Sequence, residues 1–297
     1  MTYQVLNFNI NIESLAELCI VLREAKFINA IMVNSEIWHN VQLKHVQCLE
    51  KSDADLLRKL LNAHSKTATE AMFLELAIFP LRYTLAVRRF MYLWHILSRD
   101  TSELIRKIYD AQKCNVNKGD WVQIMQEERE KYGLVESDET IAKMSQEKYR
   151  SLVKKKVFSH AVEYLHAVAS PHSKSDNLKN ESFQRQAYFS DRRLSKDDIQ
   201  LLFKLRTKML DCKANFRNQY RNILTCRICK ATDSIEDEDH ILNCSLLNEE
   251  EYEVQFANVY GSTDEQYMAV QVFKKVLRRR QIYIDIAEKT ANAVPSV

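Results

Sequence analysis

Glycine and proline each occur only three times in 297 residues, and this scarcity constrains the fold more than any other property of the chain. Sheets need a turn signal every few residues, and tight turns draw on glycine for positive φ and on proline for a preset φ. Gly119, Gly133, Gly261, Pro80, Pro171 and Pro295 supply few of them. Leu, Lys, Glu, Ala and Gln are plentiful, and these residues favour helices joined by short polar loops. The expectation is an all-α protein, a multi-helix assembly. The same shortage excludes a nucleotide cofactor held by a dinucleotide fingerprint, a Walker loop or a kinase glycine loop, since each needs glycines where backbone approaches phosphate.

Apolar spacing locates the helices. Residues 13–33 place Leu15, Leu18, Ile20, Leu22, Phe27, Ile31 and Val33 at near-helical intervals, and a second run extends from Trp38 to Leu61. Pro80 can open a helix, because its missing N–H would be unpaired in the first turn anyway. The helix after it bears Leu81, Leu85, Tyr92, Trp94 and Leu97, whose aromatic rings read as packing. Beyond a loop at residues 115–119, a helix through Trp121 and Met125 stops at Gly133, a good C-terminal cap. A long helix from Gln146 to Val168 ends before Pro171, and residues 170–180 read as a polar linker. Ser195 and Asp198 resemble a capping box opening a helix through Leu201, Leu202, Leu205 and Met209. Three domains are expected: helices over 1–114, a basic helical region over 115–222, and a metal-binding unit with C-terminal helices over 223–297.

Arg23, Glu24 and Lys26 interrupt the best early apolar run, so no stretch reaches the roughly 18 apolar residues of a membrane span. The first twenty residues lack a basic start followed by an apolar block, and no secretory signal is expected. With seven cysteines, an odd number, the expected setting is reducing and intracellular, nuclear or cytoplasmic.

Four residues carry the strongest chemical signal: Cys226 and Cys229 in C-x2-C, then His240 and Cys244 in H-x3-C. The first spacing bends the backbone so that two thiolates face one ion. The second puts an imidazole and a thiolate one helical turn apart. Together they make a closed tetrahedral zinc shell with no position for an activated water, so the expected zinc is structural. A redox C-x2-C pair would open a helix after a strand, and no βαβ pattern surrounds Cys226. Cys19, Cys48, Cys114 and Cys212 are expected to be buried, reduced thiols.

Charge is unevenly distributed around this cluster. Residues 148–225 carry 17 Lys or Arg against 7 Asp or Glu, whereas residues 226–270 carry 2 against 11. Lys154, Lys155, Lys156, Arg192, Arg193, Arg206, Lys208, Lys213, Arg217 and Arg221, interleaved with Phe203, Phe216 and Tyr220, fit contact with the phosphates of RNA or DNA. Arg217 and Arg221 are expected to share one helical face. An acidic protein partner meeting the same basic faces is the alternative. Asp233, Glu236, Asp237, Glu238 and Asp239 lie between the ligand pairs, where they would repel a phosphate backbone, so the zinc unit is expected to clip the basic helices rather than read nucleic acid.

No catalytic constellation stands out. Asp197 and Asp198 form an acidic doublet, but at a helix start after Ser-Lys they read as dipole and cap partners rather than as magnesium ligands. His95 and His160 read as packed or solvent-facing residues.

The phrases LLRKLLNAHSKT (56–67), LELAIFPLRY (74–83), RRFMYLWHIL (88–97), KGDW (118–121) and LRTKMLDCKANF (205–216) resemble the region after the palm in LINE-type, non-LTR retrotransposon reverse transcriptases. The terminal Cys-Cys-His-Cys cluster is similar to the zinc-binding segment that ends many of those polyproteins. The likeness covers roughly residues 15–248 and lies in the order of the phrases. It implies a thumb-like helical segment over 1–114, then an RNA- or DNA-binding region that positions template and target. The family's palm carries an aromatic-x-Asp-Asp signature, and no such doublet occurs here. The resemblance therefore implies a non-catalytic part of the polymerase, or an accessory to a separately encoded palm. Two features depart from the family's pattern: Ala77 stands where relatives often have Gly, and ten residues separate Cys229 from His240.

Overall fold

The computed structural model, which describes residues 15–38, 43–117, 119–169, 178, 182–221, 223–248 and 253–292, is helical with no strand among those residues. Helix α1 (Leu15–Val21) continues through a π-helical segment (Leu22–Ile28) into α2 (Asn29–Ile31), and then come α3 (Leu43–Leu61), α4 (Thr69–Leu76), α5 (Leu81–Leu97) and α6 (Leu104–Cys114). Next are α7 (Trp121–Tyr132), α8 (Asp138–Lys143), α9 (Gln146–Ala169), α10 (Lys196–Arg206), α11 (Glu238–Asn243) and α12 (Thr263–Asn292). The all-α expectation holds. None of the described helices is long and apolar enough to cross a membrane. The expected linker at 170–180, Leu178 apart, lies outside the described residues, as does Lys118.

Helix starts follow the local chemistry. Pro80 is the N-cap of α5. At α10 the capping box is complete: the Asp198 N–H donates to Ser195 Oγ at 3.2 Å, and the Ser195 N–H donates to Asp198 Oδ2 at 3.0 Å. Lys274 Nζ lies 2.6 Å from Asp198 Oδ1, so this carboxylate is committed to the helix start and to α12.

Helix ends show what the glycine shortage does. Four helices close with the same pair of bonds, in which a residue just beyond the helix turns left-handed and the next N–H reaches back to a carbonyl five residues earlier. At α7 the left-handed residue is Gly133 (φ 62°), as its cap position predicts, with Leu134 N–H donating to Arg129 O at 2.9 Å. At α3, α4 and α10 the position falls to Asn62 (φ 49°), Ala77 (φ 51°) and Lys208 (φ 50°). A Cβ in this region costs about 1–2 kcal/mol, and only Asn offsets it locally. Ala77→Gly should therefore raise stability by about 0.5–1 kcal/mol, and Gly133→Ala should lower it by a similar amount, in urea unfolding. An added Cβ at Gly133 would meet nothing closer than Lys156 Nζ at 4.0 Å, so the expected loss is conformational and not steric.

Contacts group the chain into two units, named here for their place in the sequence: a central unit (Ile20–Leu57 and Thr69–Gln184) and a terminal unit (Met1–Cys19, Arg58–Ala68 and Arg185–Val297). In the central unit α5 and α9 pack together. Helix α9 buries Tyr149, Val153, Val157, Ala161 and Leu165, a stripe at every fourth position that leaves Lys154, Lys155 and Lys156 on the exposed side. Phe90, Leu93, Val122, Met125 and Tyr132 complete this core, and His160 packs against the rings of Tyr83 and Tyr132. The π-helical segment turns Arg23 inward. That guanidinium is 3% exposed and donates to both Asp53 carboxylate oxygens, from Nε at 2.8 Å and Nη2 at 2.8 Å, and to Phe79 O. The charge that interrupts the apolar run in the sequence is thus a buried ion pair.

In the terminal unit α12 packs against α10, α11 and a 3-10 turn at Phe256–Tyr260. Its core holds Leu202, Phe203, Leu205, Phe256, Val259, Val270, Phe273 and Val276. The thiol expectation needs correction. Cys19 and Cys212 are buried, and burial pushes each thiol up to about 12, but Cys48 and Cys114 are exposed. Cys48 lies on the outer side of α3 and Cys114 in the last turn of α6, where apolar neighbours in sequence do not become neighbours in space.

Candidate metal centre

The C-x2-C turn hangs from a short antiparallel pairing. Thr225 bridges Ile235, Glu236 N–H donates to Leu224 O at 2.8 Å, and Cys226 N–H donates to Ser234 O at 3.2 Å. Inside this frame Lys230, left-handed at φ 54°, closes the turn with an N–H bond to Cys226 O at 3.1 Å. Ile228 N–H points at Cys226 Sγ, 3.4 Å away. The H-x3-C pair rides on α11. Asp237 caps this helix by accepting from His240 N–H at 2.8 Å, and Cys244 is the residue that ends it.

All four donor atoms converge. One ligand atom each from Cys226, Cys229, His240 and Cys244 lies within 4.8 Å of every other. The Cys229 Sγ to His240 Nε2 distance is 3.4 Å, close to the edge of about 3.6 Å that Zn–S of ~2.3 Å and Zn–N of ~2.0–2.1 Å impose on a tetrahedron. Cys226 and Cys244 are buried, while Cys229 and His240 are half-buried. These four residues could hold a metal ion.

Their acidities fit that use. Burial pushes the Cys229 thiol up, but bonds from the Ala231 N–H, Ser234, Cys226 and His240 outweigh it and bring it down to about 6. Cys244 is pushed up to about 11, first by burial and then by the neighbouring sulfurs of Cys226 and Cys229, against a bond from Leu246 N–H. A cation among the sulfurs would remove that mutual repulsion.

The supporting groups overturn one reading of the sequence. Glu236 and Glu238, expected to repel phosphate from an acidic loop, face inward at 0% and 4% exposure. Glu236 accepts from Arg227 N–H at 2.8 Å, Arg227 Nη2 at 2.6 Å and Arg280 Nη2 at 2.7 Å. Burial pushes its carboxyl up, but the two guanidiniums outweigh this and hold it below the usual range. Glu238 accepts from Asn215 Nδ2 at 2.6 Å, and Asp237 serves as the α11 cap. Only Asp233 and Asp239 of the five stay exposed. Arg280 of α12 is not legible in the sequence because Glu236 is 44 positions away, and Arg227, between Cys226 and Cys229, is not because its nine-residue spacing from Glu236 fits no helical or strand pattern. The Asp237-x2-His240 spacing was a legible cap signal.

The ten basic positions divide between the two units. Lys154, Lys155 and Lys156 lie exposed on α9 of the central unit. In the terminal unit Arg192, Arg193, Arg217 and Arg221 are exposed, Lys208 and Lys213 are half-buried and Arg206 is buried. Arg206 donates to Val259 O at 2.7 Å and to Gln186, between the rings of Tyr188 and Tyr260. Arg193 bridges Asp191 and Asp264, and Lys213 donates to Thr225 O at 2.8 Å. Arg217 and Arg221 do not share a helical face, since the 3-10 turn Lys213–Phe216 ends before them and Arg221 is left-handed at φ 50°.

Comparison with protein-family models, with curated proteins and with solved structures gave no match, so the likeness to non-LTR reverse transcriptases rests on the sequence phrases alone.

Proposed function

We propose that Cys226, Cys229, His240 and Cys244 hold a structural zinc ion, and that the protein is a non-catalytic nucleic-acid-binding component corresponding to the region after the palm of a retroelement reverse transcriptase. The observation that carries the zinc reading is the convergence of three sulfurs and one imidazole nitrogen within 4.8 Å. Thiolates and imidazole select zinc over hard cations such as magnesium and calcium, and four protein ligands close the shell against a reactive water. The zinc then fixes the C-x2-C turn onto α11, and Glu236 ties that turn to Arg280 of α12.

Exposed cations support the nucleic-acid reading. In the central unit Lys154, Lys155 and Lys156 project from a helix whose other side is core, and in the terminal unit Arg192, Arg217 and Arg221 are exposed. Arg206 drops out of the contact set, because its guanidinium serves bonds inside the terminal unit. The inward turn of Glu236 and Glu238 also removes two charges that would oppose phosphate. Filter binding of RNA and DNA by the zinc-loaded chain should weaken steeply between about 50 and 200 mM salt, with a log–log slope of about −0.7 to −0.9 per phosphate neutralised. Failure to bind either at the lowest salt would overturn the reading.

A further inference from the structure

Between α5 and α9 of the central unit lies a concavity of about 450 Å3, within the size range of small-ligand sites. Each helix presents one face to it. From α5 come Arg88, Met91, Tyr92 and His95, spaced i, i+3, i+4 and i+7. From α9 come Arg150 and Lys154, spaced i, i+4.

Its lining combines cations with apolar surface. Arg150 and Lys154 are exposed, with no hydrogen-bond or ion-pair partner among the described residues. Arg88 is held in place by a bond to Met32 O, which leaves donors of its fork for a ligand. Glu36 is the single carboxylate in the lining, against three permanent cations. The apolar part of the lining is Val87, Met91 and the Tyr92 ring, which lies nearly parallel to the His95 imidazole (17° between planes) and is braced edge-on by Trp121. Cations that suit a phosphate thus stand beside an apolar ring surface that suits a heterocycle. A duplex keeps its base faces stacked inside and cannot offer one to Tyr92, whereas a single strand can.

We propose that this groove seats one unpaired nucleotide of a single-stranded nucleic acid, with the phosphate on Arg88, Arg150 and Lys154 and the base against Tyr92 and Met91. The proposal rests on the nucleic-acid reading above and adds a site and a preference for single strands.

Fluorescence anisotropy tests it on the full zinc-loaded chain, with a labelled oligonucleotide offered single-stranded and as the duplex of the same sequence. Single strands should bind more tightly. The double variant Arg150→Gln/Lys154→Gln should reduce the salt slope for single strands by up to about 0.7, the contribution of the one phosphate the groove seats. Tyr92→Leu should weaken single-strand binding at least about fivefold, the lower end of base–aromatic stacking, without changing the slope, and Tyr92→Phe, which keeps the ring, should bind like the parent. Circular dichroism and melting of each variant separate lost binding from lost fold. Equal affinity for duplex and single strand, or variants that all bind like the parent, would overturn the groove while leaving the nucleic-acid reading intact. Competition by polyglutamate as effective as by oligonucleotide would also overturn it. No binding of either nucleic acid would remove the broader reading and the groove with it.

Discussion

Stripping the metal with a chelator should unfold the segment around residues 223–248. Structural zinc contributes about 10–16 kcal/mol of binding free energy in small zinc units at neutral pH, which equals or exceeds the whole stability of a typical domain. Apart from the metal, the segment is held by an isolated bridge, by the packing of α11 on α12 and by the Glu236 pairs to Arg227 and Arg280, and a helix of six residues does not form alone. Hydrogen exchange should show amides of the C-x2-C turn and of α11 losing protection on chelation, and the added zinc should restore it. The buried stripe of α9, which belongs to a different core, should keep its protection. Cys244→Ser should mimic chelation and resist rescue. Retention of protection in 223–248 after the metal is gone would show that packing alone maintains the fold there.

Replacing Glu236 should produce the second largest effect. This carboxylate is 0% exposed and holds the Arg227 backbone, the Arg227 guanidinium and Arg280 at once, so Glu236→Ala opens a cavity beside two guanidiniums whose remaining carboxylate is the exposed Asp211, at 3.4 and 4.0 Å. Breaking a buried pair in this way costs about 3–5 kcal/mol. Because Arg227 sits between the two ligand cysteines, zinc affinity should also fall, by about 10- to 100-fold as for other groups that orient ligands. Competition with a zinc indicator measures the affinity, and urea unfolding with zinc in excess measures the stability. The effect depends on pH with a definite sign. The folded-state carboxyl is held below its ordinary value of 4.5, so its contribution is present in full above that value and is lost as pH falls through the depressed folded value. Glu236→Gln should flatten the acid limb of the stability profile. Stability of Glu236→Ala equal to the parent's would mean that Arg227 and Arg280 find water instead.

Much of this architecture was legible in the sequence because its signals are local. Pro80, Gly133 and the Ser195/Asp198 pair each act within one helical turn, and each marks a helix boundary in the structure. The convergence of the four candidate ligands was legible for the same reason, since C-x2-C and H-x3-C each bring two donor atoms together through a few backbone torsions. Helix ends at Asn62, Ala77 and Lys208 were hidden, because the residue that normally announces a left-handed cap is missing there. Buried arginines were not legible at all. Arg23, Arg206 and Arg280 find their partners 30, 53 and 44 positions away, a separation that no local pattern encodes. For the same reason the acidic run between the ligand pairs looked like exposed charge, when two of its members are internal struts.

X-ray absorption at the zinc edge, on the full chain purified with zinc, tests the central claim most directly. Three sulfur atoms at about 2.3 Å and one nitrogen at about 2.0–2.1 Å are expected, with one metal ion per chain and a sulfur count that falls in Cys229→Ser. A shell of nitrogen and oxygen alone, or a chain that takes up no zinc while folded, would contradict it.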